Sequence, residues 1–303
     1  MKRVSYFVAI TYALSLSLIL GFYFSGGRWN ISSAYIVATI YMYIPLLSAV
    51  LVQRFVFKRS INEFLATSFK FNRWFVLASI LPFIACVLTF LFSLEMPGVG
   101  FTPDMSGLFE RYLKSMSPEQ VDKLRDQMSR LPLHPLLITA VQAIFAGFTV
   151  NAFAAFGEEA GWRGFLQHEF RNFGFLKTSF LIGIIWGIWH APIILMGHNY
   201  PDHRVPGVFM MILVCLLLSP FFSYIRLKSG STIAASIVHG TFNAAAGLPL
   251  LVIKGGSDLT VGAMGIAGIL ALVVIDIGIL IYDRYFAKEK VIFKSLQFNA
   301  QVN

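Results

Sequence analysis

The stretch FAAFGEEAGWRGFL, residues 153–166, places two adjacent glutamates, Glu158 and Glu159, at the end of a long apolar run. Successive residues of a helix point about 100° apart, so the two acids cannot face one cavity equally. Glu159 and Arg163 are spaced i, i+4 with the acid first, which favours an ion pair. We therefore predict a Glu159–Arg163 clamp that leaves Glu158 as the free carboxylate, without a partner on its own helix. A charge cluster at the membrane surface, with side chains reaching the cytosol, is the alternative.

The composition indicates a polytopic, all-α membrane protein. Of the 303 residues, 57% are hydrophobic and only 13% are charged, and the mean hydropathy is +0.71. Soluble domains carry about 25% charged residues. The net charge of +9 could suggest a nucleic-acid ligand, but the basic residues lie between apolar runs, so we expect no nucleic-acid partner. Cys86 and Cys215 both lie inside apolar runs, which argues against a disulfide framework.

The apolar runs predict about eight transmembrane helices within a single integral membrane domain, 1–303, each close to the roughly 20 residues that cross a bilayer. The predicted spans are 4–24, 34–54, 74–95, 134–158 or beyond, 177–196, 207–226, 231–253 and 261–282. Segment 103–130 is amphipathic instead, and Ser117, Pro118 and Gln120 begin its second helix with a capping box. These short helices are expected on the non-cytosolic surface.

The basic residues predict the orientation of the chain. Two thirds of the lysines and arginines fall in the alternate loops that lie on the same side as both termini. Cytosolic loops carry the excess of positive charge, so both termini are predicted to be cytosolic. The fourth span then runs inward, and Glu158 lies toward its cytosolic end.

Three further polar groups lie inside predicted spans. His190 belongs to the sequence WGIWHAP, and His239 and Asn243 share a helix face in IVHGTFNAA. Each could simply make an interhelical hydrogen bond. If the fourth helix continues to about 168, however, Glu158 and these three residues all lie roughly 12–18 Å from the helix ends. A helix that ended at 158 would remove this convergence.

Asp276 lies in the last span without a surrounding motif. We expect a structural hydrogen bond or a partner on another helix, and do not include it in the site.

A carboxylate, two imidazoles and a carboxamide in a membrane cavity suit the activation of water. The sequence lacks a G-x-S-x-G elbow and an H-E-x-x-H zinc helix, and no cysteine is expected near the cluster. Glu158 can act as general base while His190 orients the water or carries its proton. His239 and Asn243 can donate to a developing oxyanion. Alternatively, Glu158, His190 and His239 could bind Zn²⁺, because His₂Glu is a known catalytic ligand set.

Taken in chain order, the motifs around Glu158, His190 and His239 resemble those of the CPBP family of intramembrane proteases. This family includes the type II CAAX prenyl endopeptidases and the Abi proteins. The family pattern is Glu-Glu-x-x-x-Arg, aromatic-x-x-x-His and His-x-x-x-Asn, and it corresponds here to Glu158–Arg163, Trp186–His190 and His239–Asn243. Trp186 stands where phenylalanine is usual, and we interpret it as a packing residue.

The resemblance implies a core at 145–247, eight helices, and a cavity open to the cytosolic leaflet. It also implies the roles given above: Glu158 and His190 activate water, and His239 and Asn243 form the oxyanion hole. No cofactor is favoured, while Zn²⁺ stays open as the alternative.

The expected function is an intramembrane endopeptidase whose partners are the lipid bilayer and a peptide or lipidated protein substrate, including a prenylated or CAAX-like one. Rivals are a non-catalytic immunity or scaffold protein of the same family, a zinc-dependent protease, and a transporter. The sequence shows no internal repeat, which counts against the transporter.

Overall fold

A computed structural model describes residues 1–29, 31–113 and 116–292, with the side chains of 31–35 excepted. Lys114 and Lys294, which contribute to the charge pattern above, lie outside the described residues. The elements in chain order are α1 (Lys2–Phe24), α2 (Ile31–Val50), a π-helical turn (Leu51–Val56), α3 (Asn62–Leu65), α4 (Arg73–Leu94), β1 (Gly100–Phe101), α5 (Ser106–Tyr112), α6 (Pro118–Ser129), α7 (Pro135–Phe148), α8 (Val150–Glu159), a π-helical segment (Ala160–Leu166), α9 (Gln167–Glu169), a 3₁₀ turn (Arg171–Phe173), α10 (Phe175–Trp189), α11 (Ala191–Leu195), α12 (Arg204–Ser229), α13 (Thr232–Ala245), α14 (Leu248–Leu251), β2 (Ile253–Lys254) and α15 (Ile266–Tyr285).

The helices confirm an integral, all-α membrane protein. Among the described residues, seven helices are long and apolar enough to cross a bilayer, and a bent pair of helices makes an eighth if the two cross as one span. Large apolar side chains such as Phe145, Phe153 and Leu213 are exposed on the outside of the bundle. These apolar side chains suit contact with lipid. The helices satisfy their own backbone hydrogen bonds, as the hydrocarbon core of a bilayer requires.

The fourth span continues past Glu158, but not as the single straight helix that we expected. α7 and the helical stretch Val150–Glu169 meet at an angle of 46°. The bend is centred on Thr149, whose φ of −114° and ψ of −99° are not helical. The Thr149 hydroxyl donates to the carbonyl of Phe145 at 2.7 Å, a back-bond that is known to bend helices. The bend accommodates a helical segment that is too long to stand upright in a bilayer.

Small residues bring the polar segments together. A Cβ at Gly240 of α13 would lie 2.5 Å from the backbone nitrogen of Ala152 in α8. A Cβ at Gly157 would lie equally close, at 2.5 Å, to the carbonyl oxygen of Met42 in α2. Helices of membrane proteins approach closely where they carry such residues. α8 is therefore held tightly between α2 and α13.

The segment between the third and fourth spans forms the two predicted amphipathic helices, α5 and α6, apart from residues 114–115, which are not described. The Ser117–Gln120 capping box is present. Leu108 and Phe109 pack with Val121 in a small apolar cluster of their own. A two-stranded antiparallel pairing of β1 with β2 attaches this segment to the loop after α14. The sequence did not predict that pairing, because two-residue strands carry no periodic signal.

Within the described residues, Asp276 has no hydrogen bond of the kind that we expected. Its Oδ1 atom is buried and makes no hydrogen bond with the described residues. Asp276 lies on α15, which packs mainly against α4 and α12. It plays no part in the site described below.

Candidate active site

A cavity of about 600 Å³ lies within the bundle, and Glu158, His190, His239 and Asn243 all line it. Glu158 comes from α8, His190 follows the last residue of α10, and the other two belong to α13. The structure thus brings together the four side chains that the sequence nominated on three different spans.

Glu158 is 3% exposed and is held through one of its two oxygens. Oε2 accepts a hydrogen bond from the indole nitrogen of Trp186 at 2.7 Å and a longer one from that of Trp162 at 3.4 Å. The expectation that Glu158 lacks a partner on its own helix was wrong, because Trp162 lies one turn later and reaches back. Oε1 accepts no hydrogen bond within the described part of the chain, so it can receive a proton or a water.

Glu159 has a different environment. It does not line the cavity, and its Oε1 lies 2.9 Å from Nη1 of Arg163, with both side chains fully buried. The predicted clamp is therefore present. The guanidinium carbon of Arg163 lies 4.5 Å from the ring centre of Trp186 and 5.2 Å from that of Phe222. Aromatic faces attract such a desolvated cation and offset part of the cost of burying it.

Glu159 also contacts His239, which the sequence did not predict. Nδ1 of His239 lies 2.9 Å from the same Oε1 atom. A carboxylate paired with arginine only accepts hydrogen bonds, so Nδ1 must carry the proton. Nε2 of His239 then donates only when the ring is an imidazolium.

His190 has its tautomer fixed by the backbone. Its Nδ1 lies 2.9 Å from the carbonyl oxygen of Trp186. A carbonyl oxygen cannot donate, so Nδ1 is protonated and Nε2 of the neutral ring is an acceptor. α10 ends just before His190, and Pro192 lies in the first turn of the next short helix, Ala191–Leu195, as expected where proline removes a backbone donor.

Asn243 is exposed within the cavity and makes no hydrogen bond to the described residues, so its amide is available to a ligand. Thr232 and Ser236 extend the same polar stripe of α13, but their hydroxyls donate to the carbonyls of Leu65 and Thr232. They do not line the cavity, and their role is structural.

Trp186 does more than the packing that we expected of it. Besides donating to Glu158, its ring lies 5.6 Å from the ring of His190 and 5.5 Å from that of His239, between centres. Trp186 therefore contacts three of the four candidate catalytic residues, Glu158, His190 and His239.

Two other neighbours were not predicted. Asn151 lies two turns before Glu158, lines the cavity, and donates to the carbonyl of Gly240 at 3.4 Å. Its spacing of seven residues from Glu158 was a usable signal, since such residues share a helix face. Cys215 is different, because its Sγ lies 3.7 Å from Nδ1 of His190. This corrects the expectation that no cysteine lies near the cluster, yet the thiol is fully buried and does not line the cavity.

The alternative zinc ligands, Glu158, His190 and His239, are not grouped as a metal site in this structure. Among the described residues, no group of three His, Cys, Asp or Glu side chains is placed to hold a metal ion. Both Nδ1 atoms of His190 and His239 are occupied, and Oε2 of Glu158 accepts from two indoles. These contacts leave Nε2 of both rings and Oε1 of Glu158 without a partner among the described residues, so the choice between metal-free and zinc chemistry stays a prediction.

Comparison with known proteins agrees with the motifs. Residues 140–245 match the family model described as type II CAAX prenyl endopeptidase Rce1-like. The chain is also 40% identical over 48 residues to CAAX prenyl protease 2 of Methanococcus maripaludis, a stretch that covers 16% of this chain and 18% of that protein. The match thus spans less than a fifth of the relative's length. Residues 140–245 contain Glu158, His190, His239 and Asn243, so the segment that is similar to the Rce1-like type II CAAX prenyl endopeptidase family is the one that supplies these four cavity residues.

Proposed function

We propose that the protein is an intramembrane endopeptidase that hydrolyses a peptide bond of a membrane-associated substrate with water activated by Glu158. One observation carries the proposal. The Glu158 carboxylate is almost fully buried and fixed through Oε2, while its cavity is shared by two histidines and a free carboxamide. The family match, which covers the same residues, supports a peptidase reaction.

Water activation is assigned to Glu158 and His190. Oε1 of Glu158 and Nε2 of His190 are both acceptors, so together they can hold one water molecule by its two hydrogens. Glu158 removes a proton as the water oxygen attacks the peptide carbonyl carbon. The proton then passes to the leaving amine nitrogen as the carbon–nitrogen bond breaks. No covalent enzyme intermediate forms.

Stabilisation of the oxyanion is assigned to Asn243 and His239. The Asn243 amide donates without a change of state. His239 can donate from Nε2 as an imidazolium, whose positive charge Glu159 would offset. The carboxylates of Glu158 and Glu159, together with Arg163 and a charged His239, form a buried cluster with no net charge. This balance lowers the desolvation cost of burying each charge. Donors fixed in a dry site are worth far more to a developing oxyanion than donors in water.

Glu158→Gln tests the reaction, and Glu95→Gln is the matched control, because Glu95 is exposed outside this site. Both variants remove one negative charge. Cleavage of a membrane-anchored peptide pool by the purified protein in proteoliposomes, read by mass spectrometry, should be abolished by the first and retained by the second. Full cleavage by Glu158→Gln would reject the proposal. A Glu158→Gln variant that keeps the biological function but cleaves nothing would favour a non-catalytic peptide-binding protein of the same family.

Metal content is the second test, because a zinc-dependent version would share these residues. We expect cleavage to survive dialysis against a chelator. Stoichiometric zinc that is lost together with activity, and restored with it, would replace the glutamate mechanism by a metal one.

A further inference from the structure

Three polar side chains on the helical stretch Val150–Glu169 carry hydrogen-bonding atoms that remain unpaired. Glu159, Arg163 and Gln167 follow one another at intervals of four residues, so they share one face of the helix. All three are fully buried. Oε2 of Glu159, Nε and Nη2 of Arg163, and both amide atoms of Gln167 make no hydrogen bond to the described residues.

The contacts already described use other atoms of these side chains. Glu159 binds through Oε1, which meets both Nη1 of Arg163 and Nδ1 of His239. The rings of Trp186 and Phe222 attract the guanidinium of Arg163, but most of its N–H groups still need an acceptor. Burying a cation with unbonded N–H groups in a dry site is costly. A further hydrogen-bonding partner is therefore required at this face of the helix.

The unpaired atoms are suited to water. Arg163 and Nε2 of Gln167 are donors, whereas Oε2 of Glu159 and Oε1 of Gln167 are acceptors. A water molecule both donates and accepts, and buried waters typically make about three hydrogen bonds to polar groups that lack other partners. The carboxylate of Glu159 balances the charge of Arg163, which favours a neutral ligand over an anion.

We infer that a buried water site joins Glu159, Arg163 and Gln167, and that Gln167 is through it a positioning residue for His239. The water links Gln167 to Oε2 of Glu159, and the other oxygen of that carboxylate holds Nδ1 of His239. None of the three side chains lines the cavity, so this water differs from the one that Glu158 would activate. The water site does not depend on catalysis, whereas the positioning role rests on the proposed function.

Gln167→Met tests the water site through stability, because it removes both amide atoms and keeps an unbranched side chain. If the amide binds water, we expect the melting temperature in detergent to fall by several degrees. If the amide is dry and unpaired, its removal should leave the melting temperature unchanged or raise it, and that result would overturn the site. Gln53→Met is the matched control, since Gln53 is also buried but bonds directly to the Ser60 carbonyl and to Glu63. The control should lower the melting temperature in either case.

Hydroxyl-radical footprinting with X-rays detects the water in the wild-type protein, so it does not depend on a variant that folds. Radiolysis of a bound water oxidises the side chains beside it. Phe222 is fully buried, does not line the cavity, and has its ring centre 5.2 Å from the guanidinium carbon of Arg163. We expect Phe222 to be oxidised faster than Phe175, which is also buried, and this excess to fall in Gln167→Met. Equal oxidation of the two phenylalanines, or an excess that Gln167→Met leaves unchanged, would overturn the water site.

Turnover tests the positioning role, with a peptide that the wild-type protein cleaves in proteoliposomes. Gln167→Met should lower kcat about tenfold, the factor that one hydrogen bond is worth, and leave KM unchanged, because the cavity wall is not altered. Gln53→Met should keep the wild-type kcat. An unchanged kcat in folded Gln167→Met would refute the positioning role. A wild-type protein that cleaves nothing would reject the proposed function and the positioning role with it, while the footprinting would still decide the water site.

Discussion

Nδ1 of His239 lies 2.9 Å from Oε1 of Glu159, the same oxygen that pairs with Arg163. One carboxylate oxygen therefore supports a structural ion pair and orients a cavity histidine. The second glutamate of the Glu158–Glu159 pair is linked to the proposed chemistry through His239, although it does not itself line the cavity.

Glu159→Gln should impair both stability and turnover. Removing one member of a buried ion pair leaves the other charge uncompensated, at a cost of about 3–5 kcal/mol. It also removes the acceptor that holds His239. Thermal unfolding in detergent measures the first effect, and turnover well below the melting temperature measures the second, with Glu159→Asp as the conservative control. Unchanged turnover by the folded Gln variant would show that His239 does not need this carboxylate.

Trp186→Phe should lower turnover while keeping most of the packing. It removes the 2.7 Å hydrogen bond to Oε2 of Glu158. A hydrogen bond to a charged group contributes about 1.5–3 kcal/mol, which corresponds to roughly a 10- to 100-fold loss of kcat/KM. Trp162→Phe is the matched control and should lose less, because its contact with the same oxygen is longer, at 3.4 Å. Equal losses in the two variants would contradict the ranking of these contacts.

Cys215→Ala should retain turnover. The thiol lies 3.7 Å from Nδ1 of His190, but it is buried away from the cavity. We expect a loss of about 1 kcal/mol in the free energy of unfolding, as for a typical substitution. Treatment of the wild-type enzyme with a thiol reagent should likewise leave cleavage intact. Loss of cleavage in a well-folded Cys215→Ala variant would instead indicate a thiol nucleophile.

His198 should make stability depend on pH below neutrality. It lies in the loop between two spans and lines the cavity, and burial lowers its pKa from 6.5 to about 4. Between these values the unfolded chain binds more protons than the folded one, so stability falls as the pH drops through this window. His198→Gln should flatten the dependence of melting temperature on pH between about 6.5 and 4. An unchanged pH dependence in this variant would show that His198 is not the responsible group.

Much of the fold could be predicted from the sequence, because apolar runs of the length of a bilayer can be recognised one at a time. The i, i+4 spacing of Glu159 and Arg163 likewise predicts a contact within one helix. The bend at Thr149 was missed, since it depends on local backbone geometry inside an otherwise continuous apolar run. The short β1–β2 pairing was missed because it joins segments about 150 residues apart without a hydrophobic period to mark it.

The sequence by itself determined which polar groups lie in membrane helices and that the two glutamates must point in different directions. Only the tertiary structure decided which side chains Glu158 and Glu159 contact on other helices. Trp186 is 28 residues from Glu158, and His239 is 80 residues from Glu159, so helical spacing says nothing about either contact. The close approach of α8 and α13 at Gly240 places His239 within reach of Glu159.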